Sequence, residues 1–222
     1  MNIKQLATAA TVSGVALLSI CLSACDGTSQ GSASKHSDQP TVGESRPGVE
    51  SIPDPNVALS VAEAYAAIPH RRTSMDFSVS KVPEPDQGYL DIAFHLIDEA
   101  IRLRVAAYQS FSVSEGGDSR FISEMDRMID FLRNLEPPSR LANYHQLLIQ
   151  ALTDQKAFFM EWQSQGRQFQ YGTPDRLSSH PRVQSASSAL KQAYEILMKE
   201  YPGESSNNQD AFFDYHCALD FL

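Results

Sequence analysis

Cysteine is scarce: three residues in 222, at positions 21, 25 and 217, so no framework of disulfides is on offer to hold the chain together. Positive charge is also short, with 18 Lys and Arg against 27 Asp and Glu and a formal net charge of -9. Nucleic-acid binding relies on Lys and Arg neutralising phosphates, so the balance excludes that class of function. The spacings that announce metal or haem chemistry are missing as well. There is no H-E-x-x-H, no C-x-x-C or C-x-x-C-H, and no Glu-x-x-His pair of the kind di-iron helical proteins place on facing helices. From Asn56 onward neither G-x-S-x-G nor a Gly-rich phosphate loop occurs. No strand-like alternation of useful length and no internal repeat is present.

The N-terminus is more informative. A short polar start carrying Lys4 leads into an apolar run from Leu6 to Leu22 and then into small residues, the three-part layout of a secretory signal. The run ends Leu22-Ser23-Ala24-Cys25. That ending resembles the lipobox of bacterial lipoproteins, over the first two dozen residues only. Cys21 fits less well, because bulky Ile20 precedes it. The resemblance implies cleavage between Ala24 and Cys25, a diacylglyceryl thioether on the Cys25 sulfur and an N-acyl chain on its new amino terminus. It implies no other cofactor. Each buried acyl methylene is worth about 0.8 kcal/mol, so two or three chains anchor far more firmly than one. Asp26 resembles the signal that retains such proteins in the inner membrane. The implied location is the bacterial cell membrane, facing the periplasm, with the inner membrane favoured over the outer. Cleavage would remove Lys4, the sole charged residue before Cys25, and move the formal charge to -10. Cys217 would then remain as the one unmodified cysteine, expected as a small buried apolar residue.

Residues 25–55 are rich in Gly, Ser, Pro and Asp and nearly devoid of large apolar side chains, which predicts a tether reaching on the order of 30 Å. His36 lies within it. A single domain is expected over residues 56–222, and its fold class is all-α: an antiparallel helical bundle of about four long helices with short helices at either end. Asn56 and Pro69 bracket a first, Ala-rich helix. Leu90, Phe94, Ile97, Ile101, Val105 and Tyr108 then recur three or four apart, one buried stripe. After Gly116-Gly117, Asp118 caps a helix carrying Phe121, Met125, Met128, Leu132 and Leu135. The Pro137-Pro138 turn leads into what reads as the longest helix, from Ser139 to Gln165, with Leu141, Leu148, Leu152, Phe158, Phe159 and Trp162 on its apolar side and Gly166 as its stop. Thr173-Pro174-Asp175 can open a short turn of helix, and Pro181 starts another in which Glu195 can pair with Lys199. "DAFFDYHCALDFL" closes the chain, with Phe212, Leu219 and Leu222 expected to pack inward.

Candidate site residues are few. His95 lies four after Asp91 and three before Asp98, within reach of both on a helix, but Asp91, His95 and Arg102 also describe a solvated face. His145 sits on the apolar stripe with Leu141, Leu148 and Gln155; a buried histidine ordinarily needs only a hydrogen-bond partner, and His216, beside Cys217, is the residue it would join in a ligand or metal site. His180, directly before Pro181, reads as a cap. His70, Arg71 and Arg72 place positive charge beside a helix end, where the arginines can grip an anion or, more simply, the domain's own carboxylates. Arg102 and Arg104 read as structural or solvated. No catalytic residue is identified. The expectation is a membrane-anchored envelope protein, partnered by the bilayer and by another envelope protein, with a non-catalytic helical domain. The alternatives are a metal- or haem-binding bundle built on His145, His216 or His95, and a hydrolase with a dispersed polar site.

Overall fold

The structure, a computed structural model, describes residues 59–68, 70–113 and 119–221. Ala24, Cys25, Asp26, the predicted tether, Asn56, Pro69, Gly116-Gly117, Asp118 and Leu222 lie outside them. The described residues are all-α, with no strand among them, and fall in one unit, Ser51–Leu222.

Helix α1, Val61–Ala66, begins at Ser60. The Ser60 hydroxyl accepts the Glu63 backbone N–H while the Glu63 carboxylate accepts the Ser60 N–H at 2.8 Å. This reciprocal box satisfies two donors that a helix start would otherwise leave bare, which places the start at Ser60. Helix α2, Glu84–Val113, has 30 residues and exceeds α4, Ala142–Gln165, with 24, so the expectation that α4 is the longest is corrected. Part of what reads as α4 in sequence, Ser139–Leu141, is a separate 3-10 turn after Pro138. Helix α3 spans Ser119–Asn134. Gly166 ends α4 at φ 52°, a backbone conformation that costs glycine nothing. The short α5, Pro174–Leu177, and α6, Pro181–Glu200, both place proline in the first turn. Helix α7, Ser206–Leu219, is capped by the Ser205 hydroxyl.

Cross-element contacts give the directions. Tyr89 meets Tyr144, and further on Tyr108 meets Trp162, so α2 and α4 run parallel. Phe121 meets Phe159 while Asp126 pairs with Lys156, so α3 runs against α4. His180 with Glu161 and Ser185 with Asp154 set α6 antiparallel to α4, and Ser187 with Asp220 and Tyr201 with Phe212 set α7 antiparallel to α6. The predicted stripes face inward: Leu90, Phe94, Ile97, Ile101 and Val105 of α2, Phe121, Met125, Met128 and Leu132 of α3, and Leu148, Leu152, Phe158, Phe159 and Trp162 of α4 are all buried. Tyr108, Leu135 and Tyr194 stay half-buried. Trp162 closes one end of this core, stacked between Phe159 and Phe169. Gly172 passes so close that a Cβ there would stand 2.6 Å from the indole.

The chain from His70 to Val82 is extended apart from one 3-10 turn, Phe77–Val79. It lies as a strap across the helices. Extended chain cannot satisfy its own backbone donors, and here buried polar side chains of α7 and of the turn before it take them. Asp214 accepts from the Thr73 N–H and hydroxyl and from Arg71. Asn208 bonds both the N–H and the carbonyl of Asp76, and Glu204 accepts the Lys81 N–H and the Ser80 hydroxyl.

Candidate functional site

Each candidate histidine is engaged separately. His95 is exposed on the outer face of α2 with Asp91, whereas Asp98 is buried and turned away to the Arg72 guanidinium and the Tyr65 hydroxyl. His145 is buried, as its stripe predicts, and its Nδ1 lies 3.0 Å from the Tyr89 hydroxyl. His216 is buried on α7, edge-on to Tyr144 and Phe94. Its Nδ1 is 2.6 Å from the Phe212 carbonyl, an acceptor only, so Nδ1 carries the proton and Nε2 presents a bare lone pair. The anticipated pairing of His145 with His216 is not assembled: each packs on a different tyrosine, Tyr89 for one and Tyr144 for the other. Burial depresses both imidazoles, His216 to about 4 in spite of its carbonyl bond, so both are neutral at ordinary pH.

His180 is the cap that the sequence suggests, and more. Its Nδ1 accepts the Arg182 N–H at 3.1 Å, which leaves the proton on Nε2, 3.1 Å from the Glu161 carboxylate. Arg182 in turn donates to buried Asp154, which also accepts the Ser185 hydroxyl. This network ties the start of α6 to α4. Both ring nitrogens and the carboxylates are committed to it.

The arginines next to His70 meet the domain's own acids. Arg71 donates to Asp214 at 3.0 Å and pairs with Asp210 at 3.3 Å, and Arg72 holds Asp98 with two N–H groups. Hydrogen bonds to these carboxylates raise both guanidinium pKa values further. Of the two readings for Arg71 and Arg72, anion capture or internal pairing, the geometry supplies the second. His70 Nδ1 lies 2.7 Å from the Arg71 carbonyl, and its ring rests on half-exposed Phe213.

Sequence reasoning missed the role of Arg104. Its side chain is buried, donates to the Ala218 carbonyl at 2.8 Å and lies 5.4 Å from the centre of the Phe221 ring. Gln155 of α4 donates to the next carbonyl, Leu219, at 2.7 Å. The last carbonyls of α7 have no partner within the helix, and a cation plus an amide brought from α2 and α4 cap them. Burial lowers the Arg104 pKa to about 10, which still leaves it charged at neutral pH. The signal was one basic residue between Leu103 and Val105, indistinguishable in sequence from Arg102, which pairs with Glu99 on the same helix. Cys217, expected as buried, is a half-buried thiol.

Two concavities among the described residues bear on a binding role. A shallow groove of about 490 Å³ between α4 and α6 is lined by Gln146, Leu147, Gln192 and Ile196, with Glu195 and Lys199 along it. The sequence-predicted ion pair of Glu195 with Lys199 does not form. A smaller pocket of about 220 Å³ lies where the strap, the 3-10 turn at Arg140 and the α6–α7 turn converge. Among the described residues no group of three or more His, Cys, Asp and Glu side chains is placed to hold a metal ion, and no helix is long and apolar enough to cross a membrane.

Comparison with family models, with curated proteins and with solved structures finds no match to this chain. The functional reading therefore rests on the residues themselves.

Proposed function

We propose that the chain is a bacterial envelope lipoprotein, anchored through acyl chains on Cys25, whose helical domain is a non-catalytic module for binding another envelope component. The observation that carries the reading is the Leu22-Ser23-Ala24-Cys25 ending of the N-terminal apolar run. A role without catalysis draws support from the described side chains best suited to chemistry. His145, His180, Asp98, Asp154 and Asp214 each make internal hydrogen bonds that join separate segments, and His216 is bonded within α7 to the Phe212 carbonyl. Asp26 favours the inner membrane over the outer on this reading.

Metabolic labelling with an alkyne-bearing fatty acid tests the anchor. The wild-type chain should take up label and fractionate with membranes, and Cys25→Ala should lose both. Label retained in Cys25→Ala, or a wild-type chain recovered without label, would overturn the reading. The module role is tested by photo-crosslinking in intact cells from the exposed positions of the α4–α6 groove, Gln146 and Gln192. One reproducible envelope adduct is expected from the groove and none from exposed Arg127 of α3; equal patterns from both faces count against a dedicated surface.

A further inference from the structure

The pocket at the α6–α7 turn has features that internal stability does not require. Its floor is tied together by hydrogen bonds and an ion pair. Buried Asp86 accepts the Tyr201 hydroxyl at 2.9 Å and pairs with Arg140 Nε at 3.2 Å. Buried Glu204 accepts the Lys81 N–H, the Ser80 hydroxyl and the Asn208 amide, the last at 2.6 Å. These bonds bring together residues 80–86, 140 and 200–208, so the pocket is built by the tertiary fold and not by one local turn. The rim is different. Lys81 Nζ and the Glu200 carboxylate make no hydrogen bond or ion pair among the described residues, although both line the pocket. Arg140 meets Asp86 through Nε, and half of its side chain remains exposed.

The two charge signs are also sorted by helix ends. Lys81 and Pro83 lead into α2, whose first turn is the positive end of its dipole, whereas Glu200 and Tyr201 close α6 at its negative end. A lone anion would gain from Lys81 and Arg140 but lie against Glu200 and Glu204; a lone cation would face the reverse. A ligand carrying both charges satisfies both sides. The volume corresponds to about seven water molecules at roughly 30 Å³ each, enough for a small head group and short of the space that larger organic ligands occupy.

We propose that this pocket binds a small zwitterion, a free amino acid or dipeptide, with its carboxylate between Lys81 and the free edge of Arg140 and its ammonium at Glu200. The site is independent of how the chain is anchored, and its test does not depend on the membrane location.

The test uses the full chain, labelled with 15N, and follows backbone amides during titration with glycine and with glycylglycine, using acetate and methylamine as single-charge controls. At least one zwitterion should shift the Lys81, Gly203 and Glu204 amides saturably, with a Kd on the order of 1 mM. Lys81→Met and Glu200→Gln should each weaken that binding about tenfold, the scale of one lost charge-assisted hydrogen bond. Neither side chain holds the fold, so both variants should keep the wild-type spectrum elsewhere and the wild-type melting temperature. Three results would overturn the proposal: no saturable shift at these amides with either zwitterion, acetate binding as tightly as the zwitterions, or variants that bind as the wild type does.

Discussion

The strap at residues 70–82 and the ring-lined side of α4 belong to the same domain and are held by opposite means. The strap is extended chain with few backbone bonds of its own, and the helices and the α6–α7 turn reach it with charged or amide side chains: Asp98, Asp214, Glu204 and Asn208, all buried. Helix α4 has its backbone satisfied from within and is gripped by rings, with Phe158, Phe159 and Trp162 interlocked with Phe111, Phe121, Phe169 and Phe221. The difference follows from backbone accounting. Irregular chain must be given hydrogen-bond partners, and helices need only apolar area. It also explains the acid surplus of this protein in part, because several of those acids are internal fasteners and not surface charge.

The contrast can be broken most severely on the ring side. Trp162→Ala removes a buried indole packed against five other aromatic rings and should cost about 3–5 kcal/mol, read as a lower denaturant midpoint with little change in slope.

Acid should attack the same side next. His216 has a folded-state pKa of about 4 against about 6.5 unfolded, so above pH 6.5 neither state holds the proton and its contribution is intact. Between pH 6.5 and 4 the unfolded chain takes up a proton that the folded chain refuses, and stability falls. The loss should reach about 3 kcal/mol near pH 4 and then level off. His145, lowered by burial, acts in the same direction. Denaturation curves of wild type and His216→Leu across this range isolate the effect, and the variant should lose less stability on acidification.

On the strap side, Asp214→Ala strips partners from the Thr73 N–H and hydroxyl and from Arg71. The expected cost is about 1–3 kcal/mol, with the Arg71 share small because that side chain is 65% exposed. Hydrogen exchange should report it locally, as faster exchange at Thr73 and Asp76 with the amides of α4 unchanged. Salt sharpens the contrast least of all. Raising ionic strength to about 1 M should weaken the strap contacts by under about 1 kcal/mol and leave the ring side unaffected or slightly strengthened.

The helical periodicities were legible because they depend on spacing alone. Leu90 to Val105, Phe121 to Leu132 and Leu148 to Trp162 turn inward as their three- and four-residue intervals require. Local chemistry was legible for the same reason: Gly166 as a stop, Pro181 at a first turn, and His180 as a cap whose partner is two residues away. The charged contacts were not legible. Asp98 looks like a neighbour of His95 on one solvated face, yet its partner is Arg72, 26 residues earlier and on the strap. Asp214 and Thr73 are 141 residues apart, and Arg104 and Ala218 are 114 apart. The zwitterion pocket belongs with these, since Lys81, Arg140 and Glu200 share no sequence pattern.

What the amino-acid sequence determined by itself is therefore the helical content, the inward stripes and the local caps, together with the expectation of a lipid anchor at Cys25. All of these depend on residues within a turn or two of one another. Tertiary structure alone decided which of the many acidic and basic side chains are buried and what each one holds. Burial makes a charge expensive unless a partner stands at hydrogen-bond distance, and the fold determines which distant segment supplies that partner.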